Sequence, residues 1–236
     1  MTGVRLWELM VAATWLFGLW LCLRHTRRSF LLGVYLSTTL TFGYDWLFAR
    51  DWMWRMTFHP ESLWLFELFG EKYALWAPLS YGFFFGIAAY LGVRHRDWLD
   101  RVLGIWQYLL AFPVIFLLNI VVEGTAIELW QVNCYRLPPQ WLIANIPWLH
   151  MLTTGTMFSG TLFLVRHGHR LLETLGWNDF IDEGPAPNAE LTRIRSSVFF
   201  LGLAIPQAAF YAALVLGLFL YDLLAIAPGP ASCIRP

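Results

Sequence analysis

Residues 6–23, LWELMVAATWLFGLWLCL, run straight into Arg24-His25-Thr26-Arg27-Arg28, and this junction decides the class of fold. A helix needs about 20 mostly apolar residues to cross the hydrocarbon of a bilayer, and this run has that length. The same junction, an apolar run closed by arginine and histidine, recurs at Arg94-His95-Arg96 and at Arg166-His167-Gly168-His169-Arg170. Translocation disfavours Lys and Arg, so loops that carry them stay on the cytoplasmic side. Basic clusters after every second apolar segment therefore mark a polytopic membrane protein.

Composition agrees. The chain is 58% hydrophobic and only 14% charged, against about 25% charged in an ordinary soluble domain. Its sixteen basic and sixteen acidic residues cancel, which leaves no basic footprint for nucleic acid and no acidic tail. Lys72 is the only lysine and precedes a span, which argues against a retinal Schiff base. Cys22, Cys134 and Cys233 are scattered, with no metal-ligand spacing. Cys134 and Cys233 fall on one predicted side, where a bridge between them is open. The run from residue 6 to 23 is long for a signal-peptide core and no small-residue cleavage site follows it, so it reads as a first span.

Six segments qualify as spans: about 4–23, 29–49, 73–93, 102–122, 146–165 and 198–225. Unpaired backbone is intolerable in lipid, so these are helices. Alternation places loops 24–28, 94–101 and 166–197 together, with ten of the sixteen basic residues. The expectation is one all-α integral-membrane domain over residues 1–236, a six-helix polytopic bundle with both termini on the non-cytoplasmic side, in a bacterial inner membrane.

Two exterior stretches are too polar to span and too aromatic to be plain loops. Residues 51–72 contain Trp52, Trp54, Phe58, Trp64, Phe66 and Phe69, and residues 124–145 contain Trp130, Tyr135 and Trp141. Such segments lie among headgroups as an aromatic belt, or fold back over the bundle. An internal repeat is also suggested. Tyr44-Asp45-Trp46 leads through the first stretch to Pro78 and Arg94-His95; Val122-Glu123-Gly124 leads through the second to Pro147 and Arg166-His167. Two units in the same orientation can enclose a central site.

Ionisable side chains within spans are costly and face a cavity or a partner. Asp45, Glu123 and Asp222 qualify, all toward the exterior leaflet, and are the candidate catalytic acids. Asn119 lies one helical turn before Glu123, within hydrogen-bond reach. Tyr44 adjoins Asp45, and Trp46 follows it. Gln107, His150, Thr153, Thr154, Gln207 and Tyr211 also fall in predicted spans. A desolvated carboxyl is a proton donor at neutral pH, and aromatic faces stabilise a carbocation. This set points to protonation of an apolar substrate. The bland alternative is that the acids sit solvated at the interface or paired with arginine.

The segments Glu123-Gly124-Thr125-Ala126, Trp130, Tyr135 and Ile146-Pro147-Trp148 resemble parts of small polytopic carotenoid-biosynthesis proteins, the bacterioruberin-pathway hydratases and the small membrane lycopene cyclases. A looser likeness extends to the integral-membrane terpene cyclases of meroterpenoid pathways, which use one acid in an early span and another in the last. Asp45 and Asp222 occupy those places here. The paired-glutamate signature of the lycopene cyclases is not in this chain. The resemblance implies cyclisation or hydration of a membrane-resident isoprenoid, with Glu123, Asp45 and Asp222 as acids. Asn119, His150, Tyr211, Tyr44, Trp46, Trp130, Tyr135 and Trp148 would then surround the substrate.

On the opposite side Asn178-Asp179-Phe180-Ile181-Asp182 resembles the N-D-x-x-D signature of intramembrane prenyltransferases, where Asp179 and Asp182 would hold Mg²⁺ and a diphosphate. Gly184-Pro185-Ala186-Pro187 follows it and reads as a solvated linker. Histidine boxes, haem-ligand pairs and a glycine-rich phosphate loop are all missing from the sequence. The leading reading is therefore an acid-catalysed isoprenoid cyclase or hydratase that needs no cofactor. A non-catalytic lipid-binding or assembly subunit, with membrane-protein partners or a second copy of itself, is the first alternative. A Mg²⁺-dependent prenyltransferase is the second.

Overall fold

The computed structural model describes residues 2–25, 28–40, 56–68, 70–175, 189–224 and 226. Seven helices carry most of them. Helix α1 is Gly3–Leu23 and α2 is Arg28–Thr39; α3 spans Trp76–Arg94, and α4 is the short Arg96–Val102. Helix α5 spans Trp106–Trp130, α6 is Trp148–Thr174, and α7 is Ala189–Leu223. The remaining elements are a 3-10 turn, Pro139–Trp141, and six short strands: β1 Met56–Phe58, β2 Trp64–Leu68, β3 Glu71–Ala74, β4 Asn133–Tyr135, β5 Leu142–Ile143 and β6 Ile146–Pro147.

Among the described residues four helices are long and apolar enough to cross a membrane: α1, α3, α5 and the Thr192–Leu223 part of α7. Their outward faces are what lipid demands. Helix α5 leaves Trp106, Leu109, Leu117 and Val121 exposed, and α7 leaves Phe200, Val215 and Phe219. A face of that size would be an aggregation liability in water. The chain is a membrane protein by this measure.

Helix α6 is different. It packs against α3, α5 and α7 and is buried at intervals from Leu149 to Leu172. With neighbours on several sides it can carry His150, Thr153, Thr154, Arg166 and His169 in its buried face. The expected segment 146–165 is thus only part of a 27-residue helix. Arg166 to Arg170, expected in a loop, belong to that helix, and Arg193 and Arg195 belong to α7. The expected loop 94–101 holds helix α4. The physical reason is the same throughout: each basic cluster finds partners or solvent without breaking its helix. Of the expected second span, 29–39 is helical and 41–49 lies outside the described residues.

Close approach fixes two of these contacts. A Cβ on Gly33 of α2 would meet the Phe199 carbonyl of α7 at 2.3 Å, and one on Gly202 of α7 would meet the Phe30 carbonyl at 2.5 Å. Small residues facing each other let the two backbones touch. Gln207 and Ser37 then lock the pair, since Gln207 Nε2 donates to the Ser37 carbonyl at 2.9 Å and Ser37 Oγ donates to the Leu203 carbonyl at 2.5 Å.

The core has two parts. One, at the end of the strands, gathers Trp7, Met56, Tyr73, Trp76, Phe85, Tyr135, Ile146 and Phe210. The other, toward the arginine clusters, gathers Cys22, Phe30, Tyr35, Tyr90, Val93, Val165 and Leu172. The two aromatic stretches do not lie as simple amphipathic segments. They form three antiparallel two-stranded ladders, β1–β4, β2–β3 and β5–β6. The first joins the two stretches, pairing Met56 with Tyr135 and Phe58 with Asn133.

Candidate functional site

Helix α5 changes character near its strand-side end. Asn119–Gly124 is a π-helical turn, in which the backbone bonds run i→i+5 and one extra residue is fitted into the turn. Glu123 sits on this bulge. Tyr135 Oη donates to Glu123 Oε1 at 2.6 Å, and Asn133 Nδ2 donates to the same oxygen at 3.2 Å. Asn133 and Tyr135 are two apart on β4, so both point to one face of the strand. Neither bond engages Glu123 Oε2.

A cavity of about 50 Å³ opens beside the carboxyl. Its walls are Trp7 from α1, Met56 from β1, Trp76, Tyr81, Phe84 and Phe85 from α3, Ile115, Asn119 and Val122 from α5, Tyr135 from β4, and His150 and Thr154 from α6. The lining is aromatic on one side: Trp7 and Trp76 meet edge to face at 5.6 Å, and Tyr81 stacks on Phe85 at 5.5 Å. Tyr135 and His150 lie ring to ring at 5.7 Å.

Four polar groups of this lining are buried without a hydrogen-bond partner among the described residues: Trp7 Nε1, Trp76 Nε1, Asn119 Nδ2 and Thr154 Oγ1. A buried donor left unsatisfied costs about 1–3 kcal/mol, and native structures satisfy such groups with ordered water or ligand. A cavity of this size and polarity has room for an ordered water. The expected bond between Asn119 and Glu123 is not made. On a regular helix these two would share a face, but the π-turn rotates Glu123 away and delivers it to β4.

The site therefore unites Glu123, Asn119, Tyr135 and His150 from the sequence expectation. Others are elsewhere. Tyr211 is 65% exposed on the outer face of α7, and Asp222 is exposed at that helix's end; neither lines the cavity. Trp130 packs on Trp7 at 6.3 Å, and Trp148 stacks on Trp141 at 5.9 Å. Asp45, Tyr44 and Trp46 lie outside the described residues, as do Asp179 and Asp182 of the Mg²⁺ string. Among the described residues no three His, Cys, Asp or Glu side chains converge as metal ligands. Gln107 is engaged elsewhere, donating to the Gly104 carbonyl at 2.6 Å, and Thr153 donates to the His150 carbonyl.

Three contributors escaped the sequence reading. Trp7 and Trp76 look like belt residues in a linear sequence. Asn133 shares the strand face of Tyr135, but a three-residue strand leaves no readable alternation. Glu8 is a further buried acid in the first span, a signal that was available. It is a structural clamp: its Oε1 accepts from the Leu63 amide at 2.6 Å and its Oε2 from Arg5 at 2.8 Å.

A second polar cluster sits at the opposite end of the bundle. Arg166, 1% exposed, pairs with Asp100 at 2.5 Å, and Arg170 reaches the other Asp100 oxygen at 3.2 Å. Arg96 bonds Glu173. These pairs fasten α4 to α6. Burial, the largest single influence, pushes the Asp100 carboxyl up, but bonds from Gln107 and Arg166 with the charges of Arg166 and Arg170 hold it below its ordinary value. The Glu173 bond holds the Arg96 guanidinium above its own. Among protein-family models, curated proteins and solved structures, none matches this chain.

Proposed function

We propose that this chain is an integral-membrane enzyme in which Glu123 protonates an alkene carbon of a membrane-resident isoprenoid, and that hydration is the outcome the site favours over cyclisation. The observation that carries this reading is the pairing of one carboxyl with an aromatic, water-sized cavity. Tyr135 and Asn133 hold Oε1, which leaves Oε2 to carry the proton. The proton forms a new C–H bond with the alkene π pair, and a cation develops on the adjacent, more substituted carbon. Trp7, Trp76 and Tyr81 line the same cavity and would supply the aromatic surface that stabilises such a cation. Water held by Asn119 and Thr154 supplies the lone pair for the C–O bond, and its proton returns to the Glu123 carboxylate. Cyclisation would replace the water by a second alkene of the same chain.

The membrane arrangement proposed with it has six crossings, by α1, the expected second span 29–49 that α2 begins, α3, α5, α6 and α7. The arginine end is cytoplasmic by the bias of basic residues. Cys134 is disulfide-bonded at the other end of α5, which suits an oxidising exterior. Both chain ends then face that side.

Deuterium tests the chemistry directly. Purified protein is incubated in heavy water with a lipid extract from a polyprenoid-producing bacterium. The reading expects a product heavier by the mass of heavy water, with one deuterium on carbon, and none with Glu123→Gln. A product without carbon-bound deuterium, or equal yield from Glu123→Gln, overturns it.

A further inference from the structure

On the lipid side of the acid cavity lies a second and much larger space, a groove of about 840 Å³ between α3 and α5. It follows α3 from Phe83 to Gly92, roughly 14 Å of helix, and α5 from Val114 to Val122, roughly 12 Å. Its far end is closed by His95, Trp98 and Leu99 around the start of α4. Among its lining residues only His95 is ionisable. Three residues, Phe84, Ile115 and Val122, line both this groove and the Glu123 cavity. They form the partition between a space that suits hydrocarbon and a space that suits water and a proton.

The volumes decide what each space can take. About 50 Å³ at Glu123 accommodates water, whereas a small-molecule site typically encloses about 300–1,000 Å³. A substrate body can be housed in the groove and not in the cavity. We propose that the groove binds the body of an extended polyisoprenoid. Its reacting end passes the partition at Phe84, Ile115 and Val122 to meet Glu123, and the rest runs along α3 toward His95 and Trp98. This rests on the proposed protonation at Glu123. The occupant is a hydrocarbon chain because both groove-bearing helices are membrane-crossing candidates and the walls offer it no polar partner along their length. The reacting end is placed by the shared partition, since it is the one stretch of groove that touches the acid's cavity. The groove reaches the site from the membrane, so the substrate arrives laterally.

A photocrosslinking experiment tests this. The probe is a linear polyisoprenoid carrying a diazirine near one end, added to the full-length protein in phosphatidylcholine nanodiscs, with adducts mapped by peptide mass spectrometry. Adducts are expected on the groove residues of α3 and α5. Unlabelled polyisoprenoid should displace them and excess phosphatidylcholine should not. Leu118→Trp and Ala88→Trp, both within the groove, should each cut groove labelling at least ten-fold. Leu117→Trp, exposed on the same helix outside it, should not. Either groove variant suffices provided it remains monodisperse. Glu123→Gln should label like the wild type, because it removes the proton and not the groove. Labelling spread evenly over the outer faces of α1 and α7, or unchanged by the groove variants, overturns the proposal and marks ordinary bilayer lipid. Groove labelling without any product would instead remove the proposed reaction and keep the binding site. Product formed without groove labelling would remove the site and keep the reaction.

Discussion

Tyr135 Oη donates a hydrogen bond to Glu123 Oε1 at 2.6 Å, and three separate backbone features meet to make that bond. The π-turn Asn119–Gly124 swings Glu123 toward the strands. The β1–β4 ladder, which sets Met56 opposite Tyr135, fixes the phenol. Helix α6 brings His150 against the Tyr135 ring. The acid is positioned by parts of the chain far apart in sequence, which is how a preorganised site differs from a stray interfacial carboxylate.

Tyr135→Phe should leave the protein folded and lower turnover without abolishing it. General acid catalysis contributes about 10²–10⁴-fold, so Glu123→Gln should cost that range. Loss of the orienting phenol should cost less, about 10-fold, one hydrogen bond's worth. Rates of product formation by both variants, at matched amounts of monodisperse protein, check the order. Equal loss in the two would mean that Tyr135 itself carries the proton.

Asn119 offers a separation of stability from activity. Its Nδ2 has no partner among the described residues and is proposed to hold the water, so Asn119→Leu removes amide and water together and fills part of the cavity. The melting temperature should hold, since no buried donor is left unmet. Hydration should fall, because the leucine occupies the water's place. A clear drop in melting temperature with activity retained would show that Asn119 is a packing residue.

At the other end of the bundle, Asp100→Asn leaves the buried Arg166 without its carboxylate and should destabilise by about 1–3 kcal/mol. The pH dependence has a definite sign. Asp100 is held below its ordinary value, so its contribution is fully present above the unfolded carboxylate's pKa of about 3.9. It is lost as pH falls through the lower folded value. Thermal melts of wild type and Asp100→Asn should differ by a constant amount from pH 7 down to about pH 4 and converge below. A gap that closes between pH 7 and pH 5 would point to a histidine such as His169 instead.

Cysteine chemistry checks the exterior end. Cys22 is unbridged and buried, and Cys134 is bridged. Folded, unreduced protein should take no alkylating label; unfolded but unreduced protein should take one, at Cys22; reduced and unfolded protein should take three. That pattern pairs Cys134 with Cys233 within one chain. An unreduced dimer on a gel would place the second sulfur on another copy.

The sequence is most legible where the physics is local. The junction at Leu23 and Arg24 marks the end of α1 to the residue, because lipid thickness and charge both act on nearest neighbours. The third and fourth expected spans overlap α3 and α5 for the same reason. Arg166 and His169 misled the loop assignment because charge alone suggests solvent, while Arg166 is matched by Asp100 from another helix and His169 sits beside Glu173 one turn on. The π-turn at Glu123 is invisible to hydropathy, since one extra residue in a turn leaves composition unchanged. Asn119 and Glu123 were therefore expected to bond each other. Tyr135 was recognised, but its role depends on a strand partner 79 residues earlier, Met56, and a three-residue strand carries no pattern to announce it. Asp222 and Tyr211 show the converse: polarity in a span suggested an inward face, and α7 turns both outward.

The central claim is that Glu123 acts on a membrane isoprenoid, and its most direct measurement is mass spectrometry of lipid extracts from a polyprenoid-producing bacterial host. Three strains are compared: without the gene, with the wild-type gene, and with Glu123→Gln. The account predicts a product shifted by the mass of water in the wild-type strain alone. An isomer of the precursor there would establish cyclisation with the same acid. Identical lipid profiles in all three strains, with wild-type protein abundant and folded, would contradict the account.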